Sequence, residues 1–305
     1  MEPIITTQGL TKVYGKKTAV KDVSMHVPTG CIYGLIGRNG AGKTTIMRML
    51  SGLSEPTRGS YALFGKTGIE MRKLRRRVGI LIESPGILLN LSAFDNVKAK
   101  CIALGAFTPS YAAGILDTVG LADAGRKLPA RNFSMGMRQR LGLALALVGD
   151  PKLLILDEPI NGLDPQGILE IRSILVRLRD ERGMTVMISS HILDELAKVA
   201  DFFGIINDGD LIDEFSAEEL HRRSGRCVVI RAGEPNAVRP VLESLGIHDV
   251  SVEPDGSLRV NEQMERTADM AAAIVGAGLP LSEIFLRTAS LEEYYLSRTG
   301  GVRNV

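Results

Sequence analysis

Cysteine is scarce in this chain. Cys31, Cys101 and Cys227 stand far apart, a spacing that offers neither a disulfide framework nor a zinc site. A reducing compartment, the cytosol, is the expectation. Long apolar runs are missing too. A membrane helix needs about 18 or more apolar residues, and the nearest approach, LGLALALVG at 141–149, is far shorter. Met1 runs directly into EPIITTQGLTKVYG, without the basic start and apolar core of a signal peptide. Net charge is almost absent, since 37 basic and 35 acidic residues leave +2. No global field therefore draws the chain to nucleic acid or to an anionic membrane surface. The densest charge, MRKLRRR at 71–77, reads as a solvated helix face. No internal repeat or low-complexity tract is visible.

What is present can fold. With 45% hydrophobic and 24% charged residues, 305 residues can fill one large core or two smaller ones. The first 60 residues alternate short β-like runs (PIITTQGL, AVKDVSMHV) with turns. CIYGLIG at 31–37 is a continuous apolar run ending in glycine, as a buried parallel strand is when it feeds a helix. Similar runs follow at 77–83, 152–158, 183–191 and 201–208, with helical patterns between them. The reading is an α/β fold with a mainly parallel sheet. Asp208-Gly209 signals a hairpin, and residues 92–150 read as a helical insertion. After about residue 225 the pattern restarts with CVVIRA, a helix, DVSVEPDGSLRVN around a Pro-Asp-Gly turn, and then helices to the end. This is read as a small separate α+β domain.

Gly37-Arg38-Asn39-Gly40-Ala41-Gly42-Lys43-Thr44 matches the P-loop pattern, between a strand and a helix as the pattern requires. Its glycines let successive backbone N–H groups point at phosphate oxygens. Lys43 would reach the β- and γ-phosphates, and the Thr44 hydroxyl would ligate Mg²⁺. LLILDEP at 153–159 supplies a partner strand. Asp157 emerges at its carboxyl end, where α/β sheets bind ligands, and can join the Mg²⁺ shell. Glu158 beside it suits a general base for water. His191 ends the next strand, in line with these groups, and is read as the sensor of the γ-phosphate. The guanine-specifying pattern N-K-x-D is absent, which favours adenine.

A second anion site is suggested at NFSMG, 132–136. Ser134 is a good N-cap residue, and Leu141, Ala144, Leu145 and Val148 recur as one buried helical face. A hydroxyl, the bare Gly136 and helix-start N–H groups together favour an anion. No P-loop lysine accompanies them.

These motifs together, NFSMG in particular, resemble the ATP-binding subunits of ABC transporters over about residues 4–215. The resemblance implies a P-loop NTPase cassette with an N-terminal antiparallel β part and a helical subdomain at about 92–150. Residues 225–305 would then form the accessory α+β domain. In that family an aromatic side chain stacks on adenine, here Tyr14. Gly37–Thr45 match the Walker A loop, Asp157 and Glu158 the Walker B strand and catalytic carboxylate, Gly162-Leu163-Asp164 the D-loop, and His191 the switch histidine. The signature LSGGQ becomes Phe133-Ser134-Met135-Gly136-Met137, with Met135 and Met137 departing from the consensus. The family pairs two cassettes head to tail, so the anion at Ser134, Met135 and Gly136 would be the partner's ATP. An ATP-bound homodimer and a separate transmembrane permease are implied, with the chain cytoplasmic and peripheral on the inner face of the membrane. No nucleic-acid partner is expected.

Glu83 stands where most of the family has a glutamine that touches Mg²⁺, and is expected in or near the metal shell. LIESPG at 81–86 and ASLEEYYLSRTG at 289–300 are similar to the ATPases of bacitracin-resistance and lantibiotic self-protection exporters. Two rival readings stay open here: an ABC-type ATPase acting on ribosomes or DNA, and a non-hydrolysing nucleotide sensor.

Overall fold

In order, the chain forms β1 (Pro3–Tyr14), β2 (Lys17–Val23), β3 (His26–Pro28), β4 (Ile32–Ile36), α1 (Lys43–Leu50), β5 (Arg58–Leu63), α2 (Gly68–Leu74) and β6 (Val78–Leu81). Three helices follow, α3 (Ala93–Ala103), α4 (Pro109–Thr118) and α5 (Met135–Leu147). Next come β7 (Leu153–Leu156), α6 (Pro165–Arg182), β8 (Thr185–Ser190), α7 (Leu193–Ala197), β9 (Phe202–Asn207) and β10 (Asp210–Ser216). The structure is a computed structural model and describes residues 2–83, 85–122, 128–223, 226–288 and 290–300. The chain divides into two compact units, Met1–Ala217 and Glu218–Val305.

In the first unit β1 pairs antiparallel with β2, β3 and β5. A second sheet has the order β10-β9-β4-β8-β7-β6. All its pairings are parallel except the β9–β10 hairpin, where Asp208 (φ 49°) and Gly209 (φ 90°) make the expected positive-φ turn. Every residue of β4, β7 and β8 is buried, which is why these strands read as unbroken apolar runs. One core continues from Ile5 and Val27 of the antiparallel part through Tyr33 and Leu35 to Ile46 and Met47 of α1. The sheet order has one consequence for chemistry. β8 lies between β4 and β7, so the carboxyl ends of these three strands converge on one edge.

Two expectations about the first unit need correction. α5 is buried on all sides from Leu141 to Leu147 and ends there, with Val148 extended rather than helical. It packs against α3, α4 and β6. Gly142 touches the segment after β6 so closely that a Cβ would lie 2.7 Å from Pro85 Cβ. A helix enclosed by neighbours has no solvent face, so periodicity could not define one. The basic run 71–77 is not simply a solvated face either. α2 stops at Leu74, and Arg75–Arg77 form a tighter turn. Arg75 donates to the Tyr61 hydroxyl at 2.9 Å, and the Arg77 guanidinium sits 4.8 Å from the Phe64 ring centroid. Arg75 and Arg77 thus pack against the aromatic side chains of Tyr61 and Phe64 rather than simply facing solvent.

The second unit follows α8 (Ala217–Arg223) with β11 (Arg226–Ala232), α9 (Pro235–Ser244), β12 (Val250–Val252), β13 (Leu258–Val260), α10 (Thr267–Gly276), β14 (Leu281–Thr288) and α11 (Leu291–Thr299). The run β11-α9-β12-β13-α10-β14 closes into an antiparallel sheet of order β12-β13-β11-β14, the split βαβ arrangement. Val228, Ile230, Leu258 and Val260 pack with Val238, Leu242, Met270 and Ile274 from the two helices. β14 corrects the expectation of helices to the end. Its Ile284-Phe285-Leu286 breaks the period-2 alternation, and pairing with β11 along the strand decides its conformation.

Cys31, Cys101 and Cys227 are free and buried. Burial and the nearby Asp201 carboxylate push the Cys31 thiol up to about 12, so it stays protonated. Among the described residues no helix is long and apolar enough to cross a membrane.

Candidate nucleotide site

The turn from β4 into α1 can only be made by glycine at two points. A Cβ on Gly37 would lie 2.4 Å from the Ile206 carbonyl oxygen. Gly42 holds φ 114°, and a Cβ there would lie 2.7 Å from the Ala19 carbonyl oxygen. The backbone is thereby wrapped tightly around Lys43, whose side chain is only 5% exposed. Lys43 Nζ donates to the carbonyl oxygens of Gly37 (2.6 Å) and Arg38 (3.3 Å) and lies 3.3 Å from Glu158 Oε1.

The convergence of β4, β7 and β8 appears directly in hydrogen bonds. Thr44 Oγ1 donates to Asp157 Oδ2 at 2.7 Å, and Ser189 Oγ donates to Asp157 Oδ1 at 2.6 Å. Ser189 Oγ in turn accepts from the Glu158 backbone N–H at 2.9 Å. His191 Nδ1 lies 2.7 Å from Glu158 Oε2. Glu158 has φ 48°, a left-handed conformation that costs a non-glycine residue energy. At this bend its two carboxylate oxygens meet Lys43 and His191, one on each. Sequence reasoning named Lys43, Thr44, Asp157, Glu158 and His191, and the structure brings all five together. It missed Ser189, the brace among them. The available signal was the hydroxyl pair Ser189-Ser190, fully buried at the end of an otherwise apolar run.

A cleft of about 310 Å³ opens over this cluster. Its walls are residues 38–40 and 42–45 of the loop, including Thr45, together with Tyr14, Lys17, Ala19 and Glu158. Ala41 is buried behind the loop. The Tyr14 ring is 47% exposed, with the Lys12 ammonium 5.0 Å from its centroid, so a flat face is offered at the mouth of the cleft.

Ser134 caps α5, accepting from the Met137 N–H at 3.2 Å. Together with Met135 and Gly136 it lines a different cleft of about 360 Å³, which also includes Gly162, Leu163 and Asp164. Asp164 Oδ1 accepts from the Gly167 N–H at 2.9 Å and so caps α6. The two clefts share no lining residue. A single copy therefore does not bring Ser134 to its own P-loop cleft.

Glu83 follows β6 at a left-handed bend, φ 63°. Its carboxylate pairs with Arg48 of α1 at 2.7 Å, its side chain is 57% exposed, and it does not line the P-loop cleft. Thr44 and Asp157 suit Mg²⁺ without it. They present two hard oxygens side by side, and Mg²⁺ is commonly bound by one or two protein oxygens plus substrate phosphates. Among the described residues no cluster of three or more His, Cys, Asp or Glu side chains forms a metal cage.

Residues 20–161 match the family model described as ABC transporter. The chain is 40% identical over 303 residues to the bacitracin transport ATP-binding protein BcrA of Enterococcus faecalis, spanning 99% of this chain and 98% of that one. It is 47% identical over 211 residues to the lantibiotic transport ATP-binding protein SrtF of Streptococcus pyogenes, spanning 69% and 90%. Among solved structures, cbiO1 from Clostridium perfringens, part of the ABC transporter complex cbiONQ, superposes with a TM-score of 0.64 at 26% identity. That match covers 81% of this chain and 97% of that one. Similar to such proteins along almost its whole length, and carrying a P-loop braced to two strand-end carboxylates, the chain belongs to the ATP-binding subunits of ABC transporters.

Proposed function

We propose that this ATPase energises a separate membrane permease that exports peptide antibiotics or related drugs. It would work as an ATP-closed homodimer, docked from the cytoplasm on the inner face of the membrane. The observation that carries the catalytic part is the division of labour between two adjacent carboxylates. Asp157 faces the Thr44 and Ser189 hydroxyls, while Glu158 faces Lys43 and His191. Thr44 and Asp157 would hold Mg²⁺, which when bound supplies positive charge at the β- and γ-phosphate oxygens. Lys43 would exchange its carbonyl partners and Glu158 for those phosphates, since a charged acceptor outbids neutral ones. Glu158, released from Lys43, would take the proton of the attacking water. His191 would hold the other carboxylate oxygen and so fix the direction of the base. Tyr14 would stack on adenine. Ser134, Met135 and Gly136, with Asp164 beside them, would face the partner's nucleotide.

The cargo class rests on the names of the relatives, bacitracin and lantibiotic transport proteins. It is tested in cells carrying this chain and the permease that co-purifies with it. Tolerance to bacitracin or a lantibiotic should rise at least about fourfold, and Lys43→Ala should return it to the background level. If Lys43→Ala abolishes ATPase activity and no peptide antibiotic shows a change in tolerance, the cargo assignment fails.

Glu83 is proposed to leave Arg48 for the metal when Mg²⁺-ATP binds. The ion pair is exposed on both sides and correspondingly weak, whereas a carboxylate is a good ligand for a hard cation. Glu83→Gln should then raise the free Mg²⁺ needed for half-maximal turnover by roughly threefold to tenfold. Superimposable Mg²⁺ titrations of variant and wild type would leave Glu83 as Arg48's partner alone.

A further inference from the structure

β14 is an edge strand. Its inner side pairs with β11 from Arg226↔Thr288 to Ala232↔Leu281, and no strand among the described residues pairs with its outer side. Proteins usually blunt such edges with Lys, Pro or a central bulge, because unpaired backbone groups template further pairing. β14 reads Leu-Ser-Glu-Ile-Phe-Leu-Arg-Thr, with neither Lys nor Pro, and its register irregularity lies only at the Leu281 end. Two adjacent apolar side chains on it are exposed, Phe285 at 39% and Leu286 at 47%. They point to opposite faces of the sheet, opposite Val229 and Val228 respectively.

The sequence around Phe285 is self-complementary. When two β14 strands run antiparallel about Phe285, that residue meets the partner's Phe285, Ile284 meets the partner's Leu286, and Glu283 meets the partner's Arg287. Opposite charges close both ends and apolar pairs fill the middle, each a favourable cross-strand pair. A one-residue slip would set Ile284 against the partner's Arg287 and reverse the faces. A parallel pairing would set Glu283 against the partner's Glu283. Of these pairings, the one centred on Phe285 is the one that joins both Glu283–Arg287 charge pairs and both Ile284–Leu286 apolar pairs. Glu283 already meets Arg231 at 2.6 Å, and Arg287 meets Glu253 at 3.5 Å and Glu293 at 3.6 Å. These are partly exposed pairs, and the guanidinium fork has donors to spare.

We propose that β14 is a docking strand for a second copy of this chain, joining the two sheets across a two-fold axis at Phe285. One strand pair is small beside a stable interface of about 800 Å² per partner. The contact therefore acts as a second attachment that tightens the ATP-closed pair through effective concentration. In that respect it builds on the homodimer reading, but it can be tested without nucleotide.

The test uses the full chain. A residue on the axis meets its own copy, so Phe285→Cys should cross-link to a disulfide dimer under mild oxidation without nucleotide. The native cysteines are buried and should contribute little background. Ser251→Cys, exposed on the opposite edge strand β12, should remain monomeric. In a Glu158→Gln background with saturating Mg²⁺-ATP, Glu283→Arg should raise the dimer Kd about tenfold. Adding Arg287→Glu should restore it to within about twofold. Cross-linking no faster at Phe285→Cys than at Ser251→Cys, or a double variant as weak as the single, overturns the proposal. Cross-linking at Phe285→Cys without any ATP-dependent dimer would keep this contact and remove the shared nucleotide site.

Discussion

Glu158→Gln is expected to lower turnover by about 10²- to 10⁴-fold while the variant still binds Mg²⁺-ATP. The amide keeps the size of the side chain and one acceptor oxygen, so contacts like those now made to His191 at 2.7 Å and Lys43 at 3.3 Å can be retained in part. It cannot accept a proton from water. Gly37, Gly42, Lys43 and Thr44, which shape and fill the loop, are untouched, so nucleotide affinity should stay within about threefold. Phosphate release under single-turnover conditions, read beside equilibrium binding of a fluorescent ATP analogue, separates the two quantities. Turnover within tenfold of wild type would move the role of base to another group.

The second large effect is expected at Ser134, whose cleft shares no residue with the P-loop cleft. Ser134→Arg puts bulk where the partner's γ-phosphate would dock, and turnover should fall at least about 100-fold, the scale of losing a donor to developing charge. Ser134 also caps α5, and losing a cap costs about 0.5–2 kcal/mol. Ser134→Asp removes that ambiguity. Aspartate caps a helix as well as serine does, but sets an anion against a phosphate. It should melt within a few degrees of wild type, bind ATP as tightly as a monomer, and fail to turn over. A parallel loss of ATP affinity would mean that Ser134 serves its own P-loop.

These residues differ in how far the sequence revealed them. The P-loop was legible because its chemistry is contiguous, with glycines, Lys43 and Thr44 fixed in spacing by the turn itself. Asp157 and Glu158 were legible because a buried parallel strand is a plain apolar run, and polar residues at its end stand out. Ser189 was not, because its role comes from strand order. Only with β8 between β4 and β7 does a strand-end hydroxyl reach Asp157 from one side and the Glu158 N–H from the other. Glu83 shows the same limit, since its Arg48 partner lies on a helix far away in sequence. β14 was hidden by three consecutive apolar residues that suit a helix as well as a strand, and α5 by burial on every side. Local chemistry is written locally, whereas tertiary pairing is not.

The shared nucleotide site is the central claim, and sedimentation of full-length Glu158→Gln tests it most directly. Without nucleotide at low micromolar concentration the variant should sediment as a monomer. With saturating Mg²⁺-ATP it should sediment as a dimer holding one ATP per chain, because on the proposed arrangement each cleft would be completed by Ser134 and Gly136 of a second copy. Glu158→Gln combined with Ser134→Arg should bind ATP equally well and remain monomeric. A Glu158→Gln protein that stays monomeric at saturating Mg²⁺-ATP, or a double variant that still dimerises, would contradict the account.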